Sequence, residues 1–268
     1  MIQAYLDESG IHKSAAVCLV GGYYGKKGPW REFDKRWRST LGHRDFRVPL
    51  DKFHAKEAVK KRGFFQKWAE DRHDHFLRML ADAIATCKIH PVCAGLFVDD
   101  FFEFSLVERR FMTGATWNDS QKKFLSSGSP ERPYFVAFQE CLRTVSLHTP
   151  LGGRASFYFG VDRPVAEFAE PYFRYLRWRS RIVANNKFGT IGFPLARETP
   201  HLQAADLLSY LSYNHMLQRK ESRNWTAPPS SLIVTLLRNR KSPDDTIYLD
   251  KKLLRARITG VPLPEDKN

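Results

Sequence analysis

Alternation of apolar and polar side chains is clearest at the start of the chain. Gln3 to Asp7 reads Gln-Ala-Tyr-Leu-Asp, and Ala15 to Gly25 is dense in Val, Leu and Tyr. Two such runs flanking a Glu8-Ser9-Gly10 turn signal predict a β-hairpin. The period then changes. Trp30, Phe33, Trp37 and Leu41 recur at helical spacing within Pro29 to Leu41, with Arg and Lys on the other face, so an amphipathic helix follows. Phe65, Trp68, Phe76, Leu80 and Ile84 predict a second, long helix within Phe64 to Cys87.

Val92 to Phe104 is rich in Val, Phe and Leu and reads as a strand running into irregular chain. Residues 105 to 130 keep no period and end in Ser126-Ser127-Gly128-Ser129-Pro130, the composition of an insertion. Pro133 to His148 predicts a helix, Ala155 to Asp162 an aromatic strand stopped by Arg163-Pro164, and Val165 to Ile182 another helix. Thr190 to Leu195 is the last strand expected. Thr199-Pro200 then offers an N-cap and a first helical position for a helix reaching about Leu217. The expected class is α/β. Residues 1–220 form the domain, with an irregular or helical insertion at about 100–130, and 221–268 form a basic C-terminal extension with a short helix near Leu232 to Arg238.

With 43% hydrophobic residues in 268, the chain has material for a full core, and disorder throughout is excluded. The longest nearly uncharged apolar stretch, Ala15 to Tyr24, is half of the roughly 20 residues a membrane span needs. The acids in Met1 to Glu8 do not match a secretory signal. A cytoplasmic protein starting at Met1, with no membrane contact, is expected. Its four cysteines form no CxxC pair and read as buried thiols. Neither His73-Asp74-His75 nor Cys87 with Cys93 has the geometry of a zinc set. Phosphate-loop, dinucleotide and serine-hydrolase signatures are missing, so no nucleotide cofactor is expected. The 43 Lys and Arg outnumber 29 Asp and Glu, a formal charge of +14, which draws polyanions and makes nucleic acid, DNA or RNA, the leading partner class.

Three acids occupy unusual positions. Asp7 and Asp162 end strands, and Asp206 lies in the apolar helical run Leu202-Gln203-Ala204-Ala205-Asp206-Leu207-Leu208, with no Lys or Arg within four residues. Asp7 also suits a turn and Asp162 a helix cap. A helix interior offers Asp206 no such role, and a buried carboxylate without a counter-charge is costly. Hard divalent cations, Mg²⁺ or Mn²⁺, bind such oxygen sets, and a pair of them cleaves phosphodiesters. Glu8 joins the site only if the strand breaks directly after Asp7, because adjacent strand residues face opposite ways. His54 and Glu57 share a face if their segment is helical, where an imidazole shuttles a proton and a carboxylate completes a metal shell. The same pair also reads as solvated surface. Arg174, Arg177 and Arg181 form a basic stripe suited to phosphates, and Tyr175 and Trp178 interleave with it for stacking on bases or for core packing.

Taken in order, Tyr5-Leu6-Asp7-Glu8-Ser9-Gly10, His54-Ala55-Lys56-Glu57, Phe157-Tyr158-Phe159-Gly160-Val161-Asp162 and Leu202 to Tyr210 resemble the bacterial and phage "domain of unknown function 3800" family. That family is similar to the RNase H-like superfamily. The resemblance covers roughly residues 1 to 215. It implies a central mixed sheet of about five strands with helices on both faces. It further implies a metal site built from acids of the first strand, a later strand and the last core helix, positions matched by Asp7, Asp162 and Asp206. A further Glu from the first core helix is part of the pattern, with Glu32 and Glu57 as alternatives. The implied function is a two-metal nuclease, in a setting consistent with phage defence or mobile elements. The alternative is a catalytically inactive module of the same fold that binds nucleic acid or a protein.

Overall fold

Strands β1 (Ile2–Ser9) and β2 (Val17–Lys26) form the expected hairpin in the computed structural model, with Ile2 opposite Lys26 and Ser9 opposite Leu19. The structure describes residues 1–12, 14–118, 120–125, 131–160, 163–183 and 187–259. Helix α1 (Lys27–Leu41) follows and buries the expected Trp30, Phe33, Trp37 and Leu41. A 3-10 turn, the short α2 (Ala55–Val59), and then α3 (Glu70–Ala85) come next. Helix α3 begins later than its apolar pattern suggests. Phe65 and Trp68 are buried nonetheless, Phe65 in a separate 3-10 turn at Gly63–Phe65, because side chains that share a core need not share a helix.

Strand β3 (His90–Phe97) runs into α4 (Val98–Phe102). The segment read as an insertion holds α5 (Leu106–Met112), with a reciprocal Ser105 and Glu108 cap, and a small hairpin of β4 (Thr116–Asn118) and β5 (Lys123–Leu125). Helix α6 (Tyr134–Leu147), β6 (Ala155–Phe159), α7 (Arg163–Val183), β7 (Phe188–Gly192) and α8 (Pro200–Ser222) complete the expected order. The stretch past residue 220 is not set apart from the rest. After α9 (Ser231–Leu236), β8 (Thr246–Leu249) pairs with β3, and α10 (Lys251–Ala256) follows. Among the described residues the main sheet therefore has six strands, ordered β7-β6-β1-β2-β3-β8. Four residues of β8 are too few for alternation to announce them.

Strands β6 and β7 run parallel to β1, β3 runs antiparallel to β2, and β8 runs parallel to β3, so β2 alone opposes the rest. The C-terminal ends of β1, β3, β6 and β8 thus share one edge. Helices cover both faces. Ile2, Ala4 and Leu6 of β1 pack with α6 and α7 through Phe135, Phe138, Tyr172 and Phe173. Tyr5 and Tyr23, on the other face, meet α1, α3 and α8 through Trp30, Trp37, Phe76, Ala204 and Leu208. All four cysteines are free and buried, as expected. Among the described residues no helix is long and apolar enough to cross a membrane.

Helix α8 lies close against the hairpin because glycine and alanine meet there. A Cβ on Gly22 would fall well inside contact distance of the Tyr5 carbonyl oxygen, 2.9 Å from Leu6 Cα and 3.0 Å from Ala205 Cβ. The Ser209 hydroxyl sits 3.0 Å from the Asp7 carbonyl oxygen and 3.1 Å from that of Gly21. This close approach fixes where Asp206, which follows Ala205 on α8, meets the sheet.

Candidate active site

Alternation along β1 puts Tyr5 and Asp7 on the α8 face and Leu6 and Glu8 on the other. Glu8 stands opposite Val20, which belongs to the core on the far side, and Asp7 stands opposite Gly21, whose Cβ position lies 3.1 Å from Ser209 Oγ. The strand does not break after Asp7. Glu8, expected to share the site only if it did, faces the opposite layer, where its charge raises the Cys18 thiol and the Tyr134 phenol beyond what burial alone does.

Asp7 and Asp206 do come together. Both carboxyls titrate well above the ordinary carboxylate range for Asp7 and above it for Asp206. Burial is the main cause for each, and for Asp7 the charges of Glu8 and Asp206 add to it. One Asp7 oxygen lies 2.6 Å from the Cβ position of Gly160, so the residue directly after β6 leaves room for the carboxylate by having no side chain. Asp206 Oδ2 accepts the Ala55 N–H at 2.8 Å and lies 4.0 Å from His54 Nε2; both interactions pull its pKa back down. Among the described residues neither aspartate pairs with Lys or Arg. Asp162, two positions beyond Gly160, lies outside the described residues.

The backbone bond from Ala55 was not legible in sequence. A helix interior gives Asp no local backbone role, yet Asp206 finds one in a distant segment, at the start of α2. His54, the residue before α2, is exposed at the mouth of a cleft of about 500 Å³ that Asp206, Asp51, Arg197 and Gln203 also line. Glu57 does share the α2 turn with His54, but its carboxylate lies against Gly63, in the loop beyond the helix. Glu32, on the exposed side of α1, is bound to Arg36 at 2.7 Å. Neither glutamate is brought to Asp7 and Asp206 by these contacts.

The arginine stripe lies elsewhere. Helix α7 packs on the opposite layer from α8, through Ala169, Tyr172 and Phe173. Connecting two parallel strands, it runs back along the sheet, and at about 1.5 Å per residue Arg174 is some 16 Å from its start. Arg174 is exposed and bound to Glu170 at 2.6 Å, Arg177 is half-buried, and the Arg181 side chain is outside the description. The stripe therefore does not flank the Asp7 and Asp206 pair. A cation that lines the cleft beside Asp206 is Arg197, in a 3-10 turn between β7 and α8, where it lies 3.6 Å from Glu198. Its position in a loop beyond a strand end was the available signal.

Two further features escaped the sequence reading. Tyr5 is stacked between Tyr158 and His201, with ring centres 4.8 and 4.5 Å away. Burial pushes the Tyr5 phenol up to about 12 and holds His201 below its ordinary value. Gln203, one turn before Asp206, is buried and joins three segments. It accepts from Trp37 Nε1 at 2.9 Å and donates to the carbonyls of Leu50 and Arg197 at 2.7 and 3.2 Å. Gln203→Leu leaves these groups unpaired, at about 1 kcal/mol or more each. An expected loss of about 3 kcal/mol in urea unfolding checks this role, with the cleft opening as a consequence.

A separate cluster on α3 brings one ligand atom each from Glu70, His73 and Asp74 within 4.8 Å of one another. His73 groups there with Glu70, one turn before it, and with the adjacent Asp74, and not with His75. Glu70 is held by Lys61 at 2.5 Å, and the imidazole Nε2 lies 2.5 Å from the Ala58 carbonyl oxygen. Compared with protein-family models and with curated proteins, the chain matches none.

Proposed function

We propose that the protein is a divalent-metal-dependent phosphodiesterase acting on nucleic acid, with an RNase H-like core and Asp7, Asp206 and Asp162 as its metal ligands. The observation that carries this reading is the Asp7 and Asp206 pair at the C-terminal edge of the central strands, two crowded carboxyls with no Lys or Arg partner among the described residues. Like charges in such surroundings call for protons or a cation. The mixed six-stranded sheet with helices on both faces is compatible with the RNase H-like reading, and the formal charge of +14 suits a polyanionic substrate.

The donor set fits a hard divalent ion, Mg²⁺ or Mn²⁺, which prefers a few carboxylate oxygens and keeps positions for water and phosphate. Such an ion, when bound, polarises a phosphoryl oxygen and acidifies water. The chain's own part follows from its geometry. The β1 ladder holds Asp7, and the Ala55 N–H fixes the Asp206 rotamer while leaving its other oxygen for a ligand. His54, exposed beside Asp206, holds or passes a proton at Nε2. Arg197 across the cleft offers a charge to the phosphate backbone.

Labelled DNA and RNA incubated with Mn²⁺ test the proposal. Cleavage is expected, and Asp206→Asn, whose amide oxygen still accepts from Ala55, is expected to lower it at least a hundredfold with the fold retained by circular dichroism. An unchanged rate in that variant refutes the assignment. The backbone bond to Asp206 favours one competing reading, a module whose acid is only structural. That reading expects no Mn²⁺ binding by calorimetry.

A further inference from the structure

A second cleft, of about 680 Å³, lies apart from the one beside Asp206. It opens between the last turn of α8 and the C-terminal ends of β3 and β8, on the same edge of the sheet as Asp7. Its walls combine three aromatic rings, Phe97, Trp225 and Tyr248, with three cations, Arg219, Lys220 and Arg223. Trp225 is 49% exposed and meets Phe97 edge-on with ring centres 5.2 Å apart.

Acids also line the cleft, and their partners decide its character. Asp99 is bound to Lys220 at 2.6 Å, Asp100 accepts the Lys251 N–H at 3.0 Å, and Asp250 accepts the Leu253 N–H at 2.8 Å as the N-cap of α10. Asp99 and Lys220 thereby offset each other, while Asp100 and Asp250 keep their charge with one oxygen each held by a backbone N–H at the start of α10. Arg219 lies over the Tyr248 ring at 5.9 Å, and its buried Nε has no hydrogen-bond partner among the described residues. Arg223 makes no ion pair among the described residues, and its backbone is left-handed, with φ +52° at the C-cap of α8. Glycine or asparagine is the ordinary occupant of such a position, and a non-glycine residue there costs stability. An arginine nonetheless occupies that cap position and lines the cleft.

We infer that this cleft binds a nucleobase with its adjoining phosphate, the base against Trp225 and the phosphate between Arg219 and Arg223. Stacking on an aromatic face and pairing with guanidinium groups are the sequence-tolerant contacts of single-strand recognition. The inference rests on the nucleic-acid reading above and extends it. The cleft lies two to three strand spacings from β1 in the sheet order, about 10–14 Å. This matches three to four nucleotides of stacked strand, so the cleft would hold the substrate at a fixed distance from the scissile bond.

Binding measured in EDTA, where no metal-dependent cleavage occurs, tests the site. The probes are a single-stranded octanucleotide, as DNA and as RNA, and free AMP, followed by tryptophan fluorescence and by anisotropy of a labelled strand. Arg219→Met and Trp225→Leu are expected to weaken octanucleotide binding tenfold or more, and Trp225→Leu to abolish most of the fluorescence quench. Arg223→Gly is expected to weaken binding several-fold while melting no lower than the wild type, because glycine suits the left-handed cap. AMP that binds with comparable affinity and quench identifies a free nucleotide as the occupant; octanucleotide binding alone identifies a strand. Undiminished affinity in both Arg223→Gly and Trp225→Leu overturns the site, as does an equal loss in the exposed control Arg238→Gln, which reads only bulk charge. Cleavage that persists in Asp206→Asn overturns Asp206 as a metal ligand, and an absence of cleavage in the wild type overturns the nuclease proposal; strand binding in EDTA that depends on Arg219 and Trp225 stands apart from both.

Discussion

Mn²⁺ added to the metal-free protein is expected to raise its melting temperature by about 5–10 °C, and Asp7→Asn or Asp206→Asn is expected to remove that shift. Ligand at a hundredfold excess over its dissociation constant contributes about 2.7 kcal/mol, and a chain of this size gains roughly 2–4 °C per kcal/mol. The titration behaviour of the two carboxyls supplies an independent check. Both have folded pKa values raised above their unfolded ones, chiefly by burial. Between those values the folded state holds more protons than the unfolded chain, so in the absence of metal stability falls as pH rises through that window. Either asparagine variant therefore melts above the wild type at pH 7 in EDTA, and the difference disappears near pH 3, where the acids are protonated in both states. Equal melting at pH 7 with no Mn²⁺ effect would remove the electrostatic basis for a metal site.

Gly22→Ala is expected to cost about 3 kcal/mol or more in urea unfolding, one of the larger effects available to a single added methyl. The new Cβ meets backbone atoms of Tyr5 and Leu6 and the methyl of Ala205. None of these is the movable end of a long side chain, so the strand pair or α8 must shift. A shift of α8 also separates Asp206 from Asp7, and the Mn²⁺ stabilisation is expected to weaken in the variant even under conditions where it remains folded. A variant that loses less than about 1 kcal/mol would show that the helix is not clamped to the hairpin there.

Much of this architecture is legible in the order of residues because its signals are local. The hairpin follows from the alternation before and after Glu8-Ser9-Gly10, α1 from the spacing of Trp30, Phe33, Trp37 and Leu41, and α8 from Thr199-Pro200 and the apolar run behind it. Asp206 stands out within that run because no neighbouring cation accompanies it. Where the reading departs from the structure, the deciding contacts are distant ones. Strand β8 is too short to carry a period and exists through pairing with β3. Helix α3 starts at Glu70 although Phe65, from a 3-10 turn, and Trp68, from the irregular chain before the helix, join the same core. The arginine stripe on α7 has the right spacing, but the crossover that links β6 to β7 puts it on the other side of the sheet from α8.

Sequence by itself determined the α/β class, the positions of most helices and strands, and which carboxylates stand where a charge is expensive, since periodicity and local composition report burial residue by residue. Only the tertiary structure decided which of them meet. Glycine and alanine let α8 approach the hairpin closely enough to join Asp206 to Asp7, β-strand alternation turned Glu8 to the opposite layer, and the Ala55 N–H and Gln203 locked the surrounding loops. Those outcomes depend on backbone separations across nearly the whole chain, a quantity that no local pattern of residues encodes.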